Sequence, residues 1–217
     1  MKLVIGNKNY STWSLRPWLL LEAFSVEFEE IQESLNGNDL TARLQKHSGT
    51  GRVPVLIDGE ITIWDSLAIC EYISENYLDG HGWPNDKNNK AIARAICAEM
   101  HSGFEALRSE MPMNCRAKRS LTVSDAAKYD IQRIDAIWSD YAEVDSNNDL
   151  RLFGEFSIAD CFFAPVVMRF QTYDVELSDA ARDYCQSMLK HSSLQKWVSS
   201  AIEETEVVAV DEAGVDR

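Results

Sequence analysis

The stretch Arg52-Val53-Pro54-Val55-Leu56-Ile57-Asp58-Gly59-Glu60-Ile61-Thr62-Ile63-Trp64 reads as two short strands folded back on each other. β-Branched and aliphatic residues fill both halves. Asp58-Gly59 between them is a turn pair that tolerates positive φ, so a hairpin is predicted. Pro54 stands at the start of the first strand, where a residue without an amide hydrogen harms a ladder least. A cis Val53–Pro54 bond would turn the amide and carbonyl of Val53 outward, free to pair with an extended peptide. From these two residues alone, an ordinary trans edge proline is the stronger reading. Asp65-Ser66 then open a helix predicted to reach Tyr77. They put a carboxylate and a hydroxyl at a strand-to-helix corner, where free amides hold an anion and the carboxylate accepts from an ammonium group.

Upstream of the hairpin, residues 2–6 read as a strand, 14–25 as a helix with Leu15, Trp18, Leu19 and Phe24 among its apolar positions, and 26–35 as a half-exposed strand. Residues 39–47 read as a short helix capped by Asp39. The order β-α-β-α-β-β-α is complete by residue 78. Gly80, Gly82 and Pro84 break the pattern, so 80–85 is expected to link a first domain, 1–79, to a second, 86–217. No strand is predicted beyond Asp86. Helical patterns run over 86–110, 123–143, 157–172, 179–191 and 194–204, and residues 206–217 read as a loose tail. The fold class is therefore α/β followed by all-α.

With 217 residues and 45% hydrophobic residues, the chain can bury a core without metal or disulfide staples. Its net charge of −14 argues against nucleic acid as a partner, because phosphate contacts need clustered Lys and Arg, and Arg116-Ala117-Lys118-Arg119 is brief. No apolar run approaches the length of a membrane span, and Met1 to Gly6 is too short for a signal peptide. The five cysteines are scattered, with no C-x-x-C pair, which fits reduced thiols in a cytoplasm. Cys70, Cys97 and Cys161 sit within apolar helical patterns as small buried hydrophobes.

Tyr10-Ser11-Thr12-Trp13-Ser14-Leu15-Arg16-Pro17 joins the first strand to the first helix. A thiolate bound at this helix start would be stabilised by unpaired amides and the helix dipole, which lowers a thiol pKa from about 8.5. Plain capping by Ser or Thr accounts for the same hydroxyls.

Together these segments resemble the cytosolic glutathione transferase superfamily. Residues 52–59 followed by Asp65-Ser66-Leu67-Ala68-Ile69-Cys70-Glu71-Tyr72-Ile73 are similar to its glutathione-binding core, and Phe153-Gly154-Glu155-Phe156-Ser157-Ile158-Ala159-Asp160 to the Ser-x-x-Asp box that caps the central helix of its second domain. The resemblance implies a thioredoxin-like first domain and an all-helical second one. It implies that Val53, beside a cis Pro54, pairs with the cysteinyl part of glutathione, that Asp65 and Ser66 hold the γ-glutamyl end, and that Arg52 and Trp13 belong to the same site. Asp at position 65 replaces the commoner family Glu and keeps the charge.

The thiol-activating hydroxyl implied by the zeta-class Ser-Ser-Cys motif is Ser11; a shift of one to three residues selects Tyr10, Thr12 or Ser14 instead. The zeta Cys position is Trp13, so zeta isomerase activity does not carry over. No Cys occurs from residue 7 to 20, which disfavours thiol-transferase chemistry through a nucleophilic Cys. The acceptor pocket is expected on the second domain's first helix. Met100, His101, Phe104 and Arg108 recur there at helical spacing, as core residues do, and Asn114 follows the Met111-Pro112-Met113 break. Such a lining suits a small apolar electrophile.

The expected protein is thus a cytoplasmic detoxification enzyme, a homodimer, that uses glutathione as co-substrate and no metal. Glutathione-dependent isomerisation, peroxide reduction or reductive dehalogenation is the rival within enzymology. A non-catalytic binding or regulatory module is the rival outside it.

Overall fold

The computed structural model describes residues 1–217. Its first unit runs β1 (Lys2–Ile5), α1 (Thr12–Ala23), β2 (Glu29–Gln32), α2 (Leu40–Leu44), β3 (Val55–Asp58), β4 (Ile61–Trp64) and α3 (Ser66–Tyr77). The sheet order is β2-β1-β3-β4, with β1 parallel to β2 and antiparallel to β3. Leu3 faces Leu56 and Val4 faces Val55 in that central pair, which is apolar and fully buried. This is the thioredoxin-like arrangement expected from the order of elements.

The hairpin forms, with its turn one residue later than Asp58-Gly59. Asp58 pairs with Ile61, leaving Gly59 (φ +59°) and Glu60 as the turn residues. Asp58 stays in the strand because its carboxylate accepts from the hydroxyls of Tyr72 and Tyr77 on α3. Asp39 precedes α2 without capping it; its carboxylate is paired with Arg43 instead.

The second unit is built from α4 (Lys87–Ser102), α5 (Glu105–Glu110), α6 (Asp125–Tyr141), α7 (Ile158–Tyr173), α8 (Asp179–Lys190) and α9 (Ser192–Glu203). One helix predicted over 86–110 is two. Gly103 ends α4 with its amide on the Glu99 carbonyl, and Phe104 takes a left-handed φ of +56°. A Cβ at Gly103 would stand 2.9 Å from that carbonyl oxygen, so the break needs glycine.

Four strands also occur where none was predicted: β5 (Arg119–Ser120), β6 (Ala142–Val144), β7 (Leu150–Leu152) and β8 (Val215–Asp216). β6 and β7 form a hairpin, and β8 pairs with β5. Two- and three-residue strands are too short to show a period.

Helix α7 is the axis of the molecule, buried along nearly its whole length. Ser157 and Asp160 form a capping box at its start. Asp160 accepts from the amides of Ser157 (2.9 Å) and Leu152 (3.0 Å) and from the Tyr184 hydroxyl (3.1 Å). α7 packs on α1, so that Leu3, Leu15 and Leu19 of the first unit share one apolar core with Phe162, Val166 and Trp197 of the second. The connecting segment is anchored to α7, since Gly82 accepts from the Ile158 amide at 2.8 Å.

The tail is not loose. Glu206 accepts from the Asn7 side chain (2.5 Å) and the Ser34 hydroxyl (2.8 Å). Glu212 accepts from Tyr10 (2.5 Å), Asn114 (3.0 Å) and Arg119 (2.6 Å). Just before the tail, the Glu204 carboxylate accepts from the amides of Lys8 (2.6 Å) and Asn9 (3.0 Å). These partners lie far away in the sequence, where no local pattern registers them.

Candidate functional site

A cavity of about 490 Å³ opens where the two units meet. From the first unit it takes Thr50, Arg52, Val53 and Pro54 before β3, Trp64 at the end of β4, Asp65 and Ser66 at the head of α3, and Trp13 at the start of α1. From the second it takes His101, near the end of α4.

The Val53–Pro54 peptide is cis. Asp65 has φ +78°, a conformation that side chains rarely adopt, and one oxygen of its carboxylate caps the amides of Leu67 (2.8 Å) and Ala68 (3.3 Å). The other oxygen lies 3.0 Å from His101 Nε2. The Ser66 amide donates to no acceptor in the chain, and Ser66 is buried. A free amide and hydroxyl at a helix N-terminus, next to a carboxylate, suit a ligand carrying both a carboxylate and an ammonium group.

The hydroxyls around the start of α1 separate into distinct roles. Tyr10 is buried away from the cavity, its hydroxyl donating to Glu212 and accepting from Arg116 at 2.7 Å. Burial first, and then the hydrogen bond to Glu212, raise its pKa above the ordinary tyrosine value. Ser14 is buried and accepts from the Gly6 amide at 3.1 Å. Ser11 donates to Ser14 at 2.7 Å and caps no amide. Thr12, the first residue of α1, is half-buried. The amides of Thr12, Trp13 and Ser14 donate to no acceptor in the chain, so this helix start keeps its positive end unpaired.

The chain also matches known proteins. A family model described as the N-terminal domain of glutathione S-transferase matches residues 10–76. A dichloromethane dehalogenase of Methylorubrum extorquens is 43% identical over 61 residues, 27% of this chain and 21% of that one. Glutathione S-transferase 1 of Dianthus caryophyllus is 28% identical over 114 residues, 52% of this chain and 51% of that one. The matched part therefore spans between a fifth and about half of these relatives' length. A crystal structure of a glutathione transferase homologue from Burkholderia, with bound glutathione, superposes over 94% of this chain and 98% of that one, with a TM-score of 0.71 and 23% identity.

Residues 10–76 are thus similar to the N-terminal domain of glutathione S-transferase, and the chain as a whole has the fold of that enzyme.

In this transferase-fold chain the residues expected to hold glutathione, namely Trp13, Arg52, Val53, Pro54, Asp65 and Ser66, line one cavity. The residues expected to form the acceptor pocket do not stay together. Met100 and Phe104 are buried in the apolar core, the ordinary fate of a stripe at helical spacing. Asn114 is buried far from the cavity, bridging the Asn9 side chain (2.9 Å) and Glu212 (3.0 Å). Only His101 lines the cavity; Arg108 stands beside it, its guanidinium 5.4 Å from the Trp13 ring centre and donating to the His101 carbonyl at 3.3 Å. The His101 and Trp13 rings meet edge-on at 5.3 Å.

Two lining residues, Thr50 and Trp64, are absent from the sequence expectations. Strand alternation carries a signal for Trp64, since it shares a face with the exposed Thr62. Behind the cavity lies Arg16, the arginine that ends the Ser11-Thr12-Trp13-Ser14-Leu15-Arg16 run. Its guanidinium is 4.3 Å from the ring centres of both Trp13 and Phe162, and Nη1 donates to Ser66 Oγ at 3.4 Å.

No helix of the chain is long and apolar enough to cross a membrane.

Proposed function

We propose that the chain is a glutathione transferase, with residues 1–79 binding glutathione and residues 86–217 supplying the acceptor's side of the cleft. The observation that carries this reading is the single cavity joining the cis Val53–Pro54 corner to the Asp65–Ser66 helix start and to the head of α1. Its volume suits a tripeptide. Glutathione would pair through its cysteinyl backbone with Val53, and its γ-glutamyl amino-acid head would bind Ser66 and Asp65. Its sulfur would then lie over the unpaired amides of Thr12 and Trp13, with Ser11 as the neighbouring hydroxyl.

Chemically, the helix start would stabilise the thiolate without accepting its proton, so the thiol would ionise nearer neutral pH and attack an electrophile held on the open side. That side offers Trp13, His101 and Arg108, without the Met100 and Phe104 that were expected beside them. Relatives that include a dichloromethane dehalogenase support glutathione-dependent chemistry at a small electrophilic carbon. We propose a homodimer as well, in keeping with the exposed apolar side chains of Ile61, Trp64 and Tyr77 on β4 and α3.

The test is a titration of bound glutathione, following thiolate absorbance in the ultraviolet. Thiolate persisting near pH 7 supports activation. Glutathione that binds but stays protonated removes the catalytic reading and leaves a binding module.

A further inference from the structure

The chain holds 35 acidic against 21 basic residues, and eight of its twelve arginines pair with a carboxylate. Arg16 does not, although it is among the most deeply buried, at 2% exposure. Its guanidinium is sandwiched between Trp13 and Phe162, Nε has no partner, and the one polar contact is the long bond to Ser66 Oγ. The thiols of Cys70 and Cys97 lie near, but burial pushes both far above the ordinary range, so they supply no negative charge. A buried charge without a counter-ion is costly, and where acids abound its lack of one calls for an explanation.

The direction of the one contact supplies it. Arg16 donates to Ser66 Oγ, so the Ser66 hydroxyl proton is free to point the other way, into the cavity that Ser66 lines. The Ser66 amide is unpaired beside it. Arg16 thereby orients a two-donor cradle and backs it with a positive charge in a low-dielectric setting.

On the reading that glutathione occupies this cavity, we propose that Arg16 is the positioning residue for its γ-glutamyl α-carboxylate. It acts through Ser66, and the ligand's carboxylate is the counter-ion that the fold withholds. The cradle recognises a carboxylate adjoining an ammonium group, because Asp65 next to it repels an anion lacking one.

The test compares wild type with Arg16→Met and Arg16→Gln by calorimetric titration with two probes. One is glutathione; the other is 4-aminobutyryl-cysteinyl-glycine, which keeps the amine and lacks the α-carboxylate. Wild type should prefer glutathione by about tenfold or more, and both variants should lose most of that preference. The melting temperature of ligand-free Arg16→Met should be unchanged or higher, because an apolar side chain replaces an uncompensated charge. Variants that keep the full wild-type preference overturn the proposal, as does a wild type with no preference between the probes. If Arg16→Met does not fold, the preference of Arg16→Gln decides. Glutathione failing to bind wild type at all sinks the functional reading itself, and this inference with it; loss of preference confined to the variants leaves both standing.

Discussion

His101 Nε2, near the end of α4, lies 3.0 Å from Asp65 Oδ2 at the head of α3, so an imidazole–carboxylate contact joins the helical unit to the strand-to-helix corner of the other. The remaining Asp65 oxygen is committed to the amides of Leu67 and Ala68. One carboxylate therefore caps a helix, fixes an imidazole across the cleft and, in the proposed complex, faces an ammonium group. Asp65→Asn keeps the cap and removes the charge. Glutathione should bind roughly tenfold to a hundredfold more weakly to it, with little change in melting temperature. Wild-type affinity would remove Asp65 from ligand recognition and leave it as a cap.

Ser11 donates its proton inward to Ser14, which also accepts from the Gly6 amide. In the proposed complex the Ser11 proton turns from Ser14 to the sulfur, which the helix-start amides also face. Ser11→Ala should leave glutathione affinity within about threefold and slow turnover by about ten- to a hundredfold. Tyr10→Phe should leave turnover unchanged, because that hydroxyl is occupied by Glu212 and Arg116. A large loss of turnover in Tyr10→Phe with Ser11→Ala unaffected would reverse the assignment.

The loop before α1 is held from the far end of the chain. Glu204 receives the amides of Lys8 and Asn9, and Arg116 bonds the carbonyls of Glu204 and Glu206 and the hydroxyl of Tyr10. Glu204→Ala strips two backbone donors of their acceptor and should lower stability by about 1–3 kcal/mol, measured as a urea midpoint. Hydrogen exchange at residues 8–10 should rise in step. An unchanged midpoint with unchanged protection would show that the loop holds itself.

What the sequence made legible was local. Val53-Pro54, Asp65-Ser66 and Ser157-x-x-Asp160 each combine backbone chemistry and side-chain chemistry within a few positions, and each lies in the predicted setting; Asp58-Gly59 marks its hairpin with the turn one residue later. Met100 shares α4 with His101, and Phe104 lies just past that helix's end, but helical spacing read from sequence does not tell core from cleft. Tyr10, Asn114 and Glu212 meet across more than 90 residues of chain, a closeness that no window of sequence contains. The burial of Arg16 was illegible for a different reason. An arginine one turn into an amphipathic helix reads as solvated, and only the packing of α1 on α7 puts it between two rings.

His191 offers a test of stability away from the cleft. Its ring stacks on Phe156 with centres 4.4 Å apart, and buried Nδ1 has no partner. Burial, followed by the nearby Arg151, pulls its pKa from 6.5 to about 4, so the folded protein holds the imidazole neutral. Because the folded value lies below the unfolded one, the neutral ring's contribution is complete above pH 6.5 and is lost as pH falls through about 4. Allowing for its partial exposure, the loss amounts to about 1–2 kcal/mol. Asp160 titrates in the same window with the opposite sign: burial raises it to about 6, so its contribution is lost as pH rises. The informative quantity is therefore the difference between wild type and His191→Phe, which keeps the stack and removes the titration. Urea midpoints of the variant should gain on those of wild type as pH falls from 7 to 4. A constant difference across that range would mean that His191 takes up its proton as readily in the folded state as in the unfolded one, despite its burial.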